Sequence, residues 1–293
     1  MTDSLPPELH TPPAKHGRAG RNLPAAIAVG VVLLGGLAVC LIWFQLGFAI
    51  FVAAALVQGV LEINQALRRI DMNAAIKPII AGTVVIVVGS YFAGQRDLQD
   101  ILPSNTVLIG VLGLTILVCL VWRMPGGADG YIRDTAASLF IIAYIPLLGS
   151  FVSLMLAGPH GNWQVVTFIA AVSAGDIGGY VAGVLFGKHK MSPRISPKKT
   201  WEGFGGTLLF GGAVAGALGV LLLDINVFVG IGLGLALVTV GACGDLIESL
   251  IKRDVGIKDM SSFLPGHGGV MDRLDSLLIA APVAWLILFF VVG

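Results

Sequence analysis

Nine apolar stretches, each about as long as a bilayer is thick, run through this 293-residue chain, at roughly 24–43, 47–66, 75–94, 106–122, 135–157, 165–187, 204–223, 226–248 and 276–292. An α-helix rises about 1.5 Å per residue, so roughly 20 apolar residues cross a hydrocarbon layer about 30 Å thick. Backbone amides in lipid must be satisfied within the segment that carries them, and helices of this length do so. Only 12% of the residues are charged and 56% are hydrophobic, whereas a soluble domain carries about 25% charged residues. The chain therefore reads as an all-α, polytopic integral membrane protein with about nine transmembrane helices. Pro146 and Pro282 fall inside apolar stretches, where transmembrane helices tolerate proline. The 40 glycines, without collagen periodicity, point to close helix packing in lipid.

Residues 1–22, MTDSLPPELHTPPAKHGRAGRN, are polar and proline-rich and read as a disordered leader. The apolar stretch after them is long enough to span, and no small-residue cleavage motif ends it, so this region does not read as a cleaved signal peptide. Charge sets the orientation. With the amino terminus in the cytoplasm, the loops near 67–74, 123–134, 188–203 and 249–275 face the same way, and of the 18 Lys and Arg only Arg96 falls on the other side. Such an excess of basic residues marks cytoplasmic loops. The expected protein is thus a multi-pass component of the inner cell membrane with its carboxyl terminus outside. The two loops richest in charge, 188–203 and 249–275, flank the last three helices. They divide the chain into the leader (1–22), amino-terminal membrane helices (23–172) and a half that carries the chemistry (173–293). Cys40, Cys119 and Cys243 lie far apart in apolar stretches and read as small buried hydrophobes.

The segment Ser249–Asp275, SLIKRDVGIKDMSSFLPGHGGVMDRLD, crowds acidic and basic side chains into an otherwise apolar chain. Charge near lipid is costly and concentrates where chemistry or ion binding needs it. Three carboxylates, Asp176, Asp245 and Glu248, fall inside or at the ends of apolar stretches. Asp245, Glu248, Ser249 and Lys252 are spaced i, i+3, i+4 and i+7, so they share one helix face. Asp272 and Asp275 are three apart and point the same way as the last helix begins. Hard oxygen ligands on two helices suit Mg²⁺, which takes one or two carboxylates and completes its shell with water and substrate phosphate. The loop GKHKMSPRISPKKTWEG (187–203) supplies the complementary charge, with Lys198, Lys199 and Thr200 in the arrangement that a triphosphate needs. Trp201 reads as an interfacial anchor. His267 reads either as a hydrogen-bonded turn residue or as a phosphate contact and proton donor, while Gly266, Gly268 and Gly269 would let the backbone approach phosphate. Gly175, Gly179, Gly183 and Gly187 form a stripe for helix packing. Asp176 beside it serves either structure or the support of substrate or metal.

These residues resemble the signature of the phosphatidate cytidylyltransferase family, the CDP-diacylglycerol synthases. The likeness runs through Ser249, Lys252, Arg253, Lys258, Asp259, then Pro265-x-His267-Gly268-Gly269, then Asp272-Arg273-x-Asp275, without departure at a signature position. The segment 195–203 and the stretch from Asp176 to Gly187 are similar too, so the specific likeness covers roughly 173–276. The resemblance implies a CTP:phosphatidate cytidylyltransferase, a nucleotidyltransferase that makes CDP-diacylglycerol and pyrophosphate for phospholipid synthesis, with Mg²⁺ or Mn²⁺ as cofactor. It further implies that Asp245 and Asp272 hold the ion, with Asp275 orienting them or helping to bind a second cation. Lys252, Arg253 and Arg273 would offset phosphate charge, and Ser196, Lys198, Lys199, Thr200, Ser249 and His267 would line the CTP and headgroup sites. Its expected partners are CTP, phosphatidic acid and membrane lipid, with no nucleic acid, and the resemblance points to a homodimer. An ion-coupled transporter would instead need its carboxylates at mid-membrane and gives no reason for basic, glycine-rich loops. A CDP-alcohol phosphotransferase would continue an Asp-Gly pair with Ala-Arg and spaced aspartates, which Asp129-Gly130 does not do.

Overall fold

The computed structural model describes residues 35–93, 103–263 and 268–292. After helical residues 35–43, the chain forms α1 (Gln45–Leu67), α2 (Ile76–Ala93), α3 (Ser104–Arg123), α4 (Tyr131–Ile142), α5 (Leu148–Ala157) and α6 (Gly161–Phe186). An antiparallel ribbon follows, β1 (Lys190–Ser192) with β2 (Ser196–Thr200), and then α7 (Trp201–Leu223), α8 (Val227–Asp254) and α9 (Met271–Val292). A wide π-type turn, Ala143–Leu147, carries Pro146 and joins α4 to α5 in one span. Among the described residues, eight segments are long and apolar enough to cross a membrane. They match the second to ninth predicted stretches, and the all-α membrane class holds. Most of the first predicted stretch, the leader 1–22, and Pro265, Gly266 and His267 lie outside the described residues.

Helix boundaries depart from the hydropathy reading in an informative direction. The loop expected at 249–275 is shorter, because α8 continues to Asp254 and α9 begins at Met271. Backbone hydrogen bonding does not stop where hydrophobicity does, and charged residues extend a helix as long as their heads reach water or a partner. Lys252 and Asp272 are therefore helical. The loop at 187–203 forms a hairpin, not a simple turn, with Lys190 opposite Thr200 and Ser192 opposite Ser196.

Among the described residues, two large apolar cores stand beside a smaller one formed by Ile86, Leu108 and Leu154. One joins Ile63 of α1, Ile79 of α2, Ile145 of the π-type turn, Val255 and Met260 of the α8–α9 loop, and Met271 of α9. The other joins Phe48, Phe168, Leu233, Leu237, Ala284 and Leu288. The large apolar side chains that remain exposed, such as Leu209, Leu221, Phe228 and Phe290, lie on the outside of the helices, as a lipid environment favours. Helix association in lipid depends on close packing, since lipid is as apolar as the helix surface. Glycine supplies it here. A Cβ on Gly206 of α7 would lie 2.6 Å from the carbonyl oxygen of Gly178 on α6, and one on Gly234 of α8 would lie 2.5 Å from that of Gly211 on α7. The predicted glycine stripe packs as expected: Gly175 meets Val238, Gly179 meets Thr207, and Gly183 and Gly187 meet Thr200. The cysteine expectation fails at one position. Cys119 is buried and Cys40 half-buried, but Cys243 is exposed, because Gly241 and Gly244 hold the face of α8 that packs on α9 and turn Cys243 outward.

Overpacking a tight contact costs about 1–3 kcal/mol. Gly206→Leu should therefore lower the melting temperature of the detergent-solubilised protein, whereas Gly110→Leu, with nothing within 4 Å of its added carbon, should leave it unchanged.

Candidate active site

The face predicted on α8 is present, and Gly244 brings it against α9. A Cβ at Gly244 would lie 2.5 Å from the carbonyl oxygen of Asp275, so the two backbones meet where both carry carboxylates. Two turns further along α8, Lys252 bridges the helices. Its Nζ donates to Glu248 Oε2 in the turn above and to Asp272 Oδ1 on α9 at 2.8 Å. Glu248 is 1% exposed, and the ammonium offsets the charge of that buried carboxylate. Asp272 is fully engaged: its Oδ2 accepts from the amides of Gly269 at 2.8 Å and Met260 at 3.1 Å. It thus holds the α8–α9 loop to the start of α9, and Gly268, at φ +85°, makes the left-handed turn beside it. To reach an ion, Asp272 would have to release Lys252 or an amide.

The hairpin meets α8 through Lys199. Its Nζ lies 2.7 Å from Asp245 Oδ2 and donates to the carbonyl of Ala242 at 3.3 Å. The other oxygen of Asp245 accepts a long bond, 3.4 Å, from Ser249. Thr200 caps α7, its hydroxyl accepting from the Gly203 amide at 3.1 Å, and it is buried. Glu202, in the first turn of α7, accepts from the amides of Lys188 and His189 and pairs with the His189 ring at 2.6 Å. Both ends of the hairpin are therefore fixed to α7. On β2, Lys198 is exposed while Lys199 and Ser196 are half-buried. Lys199 and Thr200 have partners within the fold; Lys198 extends from it.

Asp176, Asp245 and Asp275 come from three helices and lie within electrostatic reach of one another. Lys199 and Arg273 also act on Asp176, and Lys252 acts on Asp275. Asp176, Arg253 and Arg273 are exposed, Asp245 and Asp275 half-buried. The donors are all oxygen, which fits a hard divalent cation. Among the described residues, no three or more His, Cys, Asp or Glu side chains form a set that holds an ion by themselves. An open arrangement of this kind suits an ion that takes one or two carboxylates and fills its shell with water and phosphate oxygens.

Two parts of this end of the bundle escaped the sequence reading. Glu62, on α1, is 1% exposed. Its oxygens accept from Ser261 Oγ at 2.7 Å, the amides of Val270 and Met271 at 3.0 and 2.8 Å, and Gln58 at 3.2 Å. The available signal was a lone carboxylate in the apolar stretch 47–66, the same signal that singled out Asp176. The second is Asp134, which pairs with Arg123 Nε at 2.8 Å and accepts from the Asn73 amide at 2.9 Å. Arg123 is thus a structural tie.

Comparison with known proteins places these features in context. The model of the Cytidylyltransferase family matches residues 24–291, which includes the amino-terminal helices as well as 173–276. A phosphatidate cytidylyltransferase of Mycobacterium leprae is 38% identical over 288 residues, covering 92% of this chain and 89% of that protein. One from Mycobacterium bovis is 37% identical over 292 residues, covering 94% and 92%. One from Pseudomonas aeruginosa is 35% identical over 241 residues, covering 80% and 85%.

Removing the cation of a buried ionic group leaves charge uncompensated, at about 3–5 kcal/mol. Lys252→Met should therefore destabilise the protein strongly in thermal melts, and adding Glu248→Gln should restore part of that loss.

Proposed function

This chain belongs to the cytidylyltransferase family, and on that premise we propose that it is a CTP:phosphatidate cytidylyltransferase. In the reaction, a phosphate oxygen of phosphatidic acid attacks the α-phosphorus of CTP. A phosphorus–oxygen bond forms, the bond to the β-phosphate breaks, and CDP-diacylglycerol and pyrophosphate leave. The nucleophile is already anionic, so no strong base is needed. The barrier lies in bringing two polyanions together and in the charge that develops on pyrophosphate, which positioned cations offset.

The observation that carries this reading is the meeting of acidic and basic groups at one end of the bundle. The Asp245 and Asp275 faces of α8 and α9 adjoin the hairpin that bears Lys198 and Lys199. Asp245 and Asp275 are the carboxylates we assign to Mg²⁺, with Asp176 adjoining them. The ion, when bound, would draw the phosphates together and neutralise charge on them. Asp272 holds Lys252 and the loop amides, and so fixes the helix that carries Asp275. Lys199 orients Asp245. Lys198, Arg253 and Arg273 are the exposed cations that we assign to phosphate groups of nucleotide and lipid. The excess of basic residues in its loops supports our placing this end on the cytoplasmic side of the inner membrane. There CTP arrives from water and phosphatidic acid from the adjoining leaflet.

Purified protein given radiolabelled CTP, phosphatidic acid and Mg²⁺ should form lipid-soluble CDP product; its absence across lipid and salt conditions would sink the assignment. Asp245→Asn and Asp275→Asn should each lower kcat by about two orders of magnitude with the fold intact. Lys198→Ala should raise KM for CTP by about tenfold, as expected for one charged hydrogen bond, and an unchanged KM would remove that lysine from the nucleotide site.

A further inference from the structure

Glu62 lies in the amino-terminal half, yet its carboxylate reaches the segment that bears the catalytic charges. Its Oε1 accepts from Ser261 Oγ and the Val270 amide, and its Oε2 from the Met271 amide. In chain order, Ser261 comes before residues 264–267 and Val270 after them, so one carboxylate group ties both flanks of the signature segment. Val270 immediately precedes α9 and Met271 opens it. The first amides of a helix have no partner within it and carry the positive end of its dipole. Glu62 satisfies two of them with a negative charge. No cation is needed beside it, because the amides, Ser261 and Gln58 take up its lone pairs.

The fit is close. A Cβ at Gly269 would lie 2.6 Å from Glu62 Oε2 and 3.1 Å from Asp272 Oδ2, so the backbone passes between the two carboxylates. Ile63 of α1 packs in one core with Val255, Met260 and Met271, which fixes α1 against the same loop by apolar contact. Glu62 therefore adds direction to an interface that packing already holds.

We propose that Glu62 is a positioning residue for nucleotidyl transfer. It acts across the two halves of the chain by setting where α9 starts, and so where Asp275 and Arg273 stand opposite Asp245. The inference rests on the cytidylyltransferase reading for its kinetic consequence, though not for the contact itself. Glutamine in place of Glu62 keeps the size but turns an NH₂ group toward a backbone amide that cannot rotate away. Misplacing reacting groups by about 1 Å costs up to about a hundredfold in rate.

The test uses the full-length protein in detergent with phosphatidic acid micelles, comparing wild type, Glu62→Gln and Ser261→Ala. Glu62→Gln should lower kcat at least about tenfold, change KM for CTP and phosphatidic acid less than about threefold, and raise the Mg²⁺ concentration needed for half-maximal rate. Hydrogen exchange of peptides covering 268–275 should speed up in the same variant. A wild-type kcat, or a loss that follows the melting temperature with the Mg²⁺ dependence unchanged, would overturn the proposal. If Glu62→Gln fails to fold, Ser261→Ala decides: lower kcat at an unchanged melting temperature supports it, and an unaltered kcat overturns it. If the wild type makes no CDP-lipid, the cytidylyltransferase reading fails. Exchange at 268–275 then decides the Glu62 contact by itself, with unaltered exchange overturning it.

Discussion

One ammonium group, Lys252 Nζ, stands between two carboxylates on different helices, Glu248 on α8 and Asp272 on α9. Glu248 cannot reach water, and an unpaired charge there would cost several kcal/mol. The pairing therefore fixes how α8 and α9 lie relative to each other, in rotation as well as in distance. Asp245 sits two turns before Lys252 on the same face of α8, and Asp275 one turn after Asp272 on α9. Their approach follows from the Lys252 bridge, and the hairpin then docks against it through Lys199 and Asp245. Tyr144, carried on the π-type turn at Pro146, adds its hydroxyl within electrostatic reach of Glu248 and Asp275. The first half of the chain thus contributes a wall as well as the Glu62 contact.

Lipid offers little hydrophobic gain for pressing helices together, so the architecture relies on surfaces that fit. Glycine backbone on α6, α7 and α8 provides them, and the same device recurs at Gly244 beside the candidate site. Few polar contacts then tie the elements at this end: the Lys252 bridge, the Lys199 pair, the Arg123–Asp134 pair and the Glu202–His189 contact. Each joins elements that are distant in sequence or fixes the end of one.

Hydropathy was enough to find eight of the spans, since length and apolarity are what a bilayer demands of a helix. It misplaced the ends of α8 and α9, because a helix is terminated by its capping groups and not by polarity. The charged signature stood out for the opposite reason, as polar residues in an apolar chain are conspicuous. Periodicity alone placed Asp245, Glu248, Ser249 and Lys252 on one face. What periodicity could not give was pairing between elements. Lys252 read as a charge that offsets phosphate and Asp272 as an ion ligand, and the structure adds that they bind each other; Thr200 read as a ligand group, and the structure adds that it caps α7. Glu62 was passed over because its partners lie about two hundred residues away, a separation that no local pattern spans.

The ribbon between α6 and α7 is held near its base, by α7 and, through Lys199, by α8. Glu202 grips the residues that lead into β1 and Thr200 the helix that leaves the ribbon, while Pro193 and Arg194 at the tip are exposed. Such an arrangement separates two kinds of freedom. Residues near the base are held in register with the bundle, whereas the tip can lengthen, shorten or change character without disturbing them. Evolution can therefore rework the outermost bend while Lys199 keeps its place opposite Asp245.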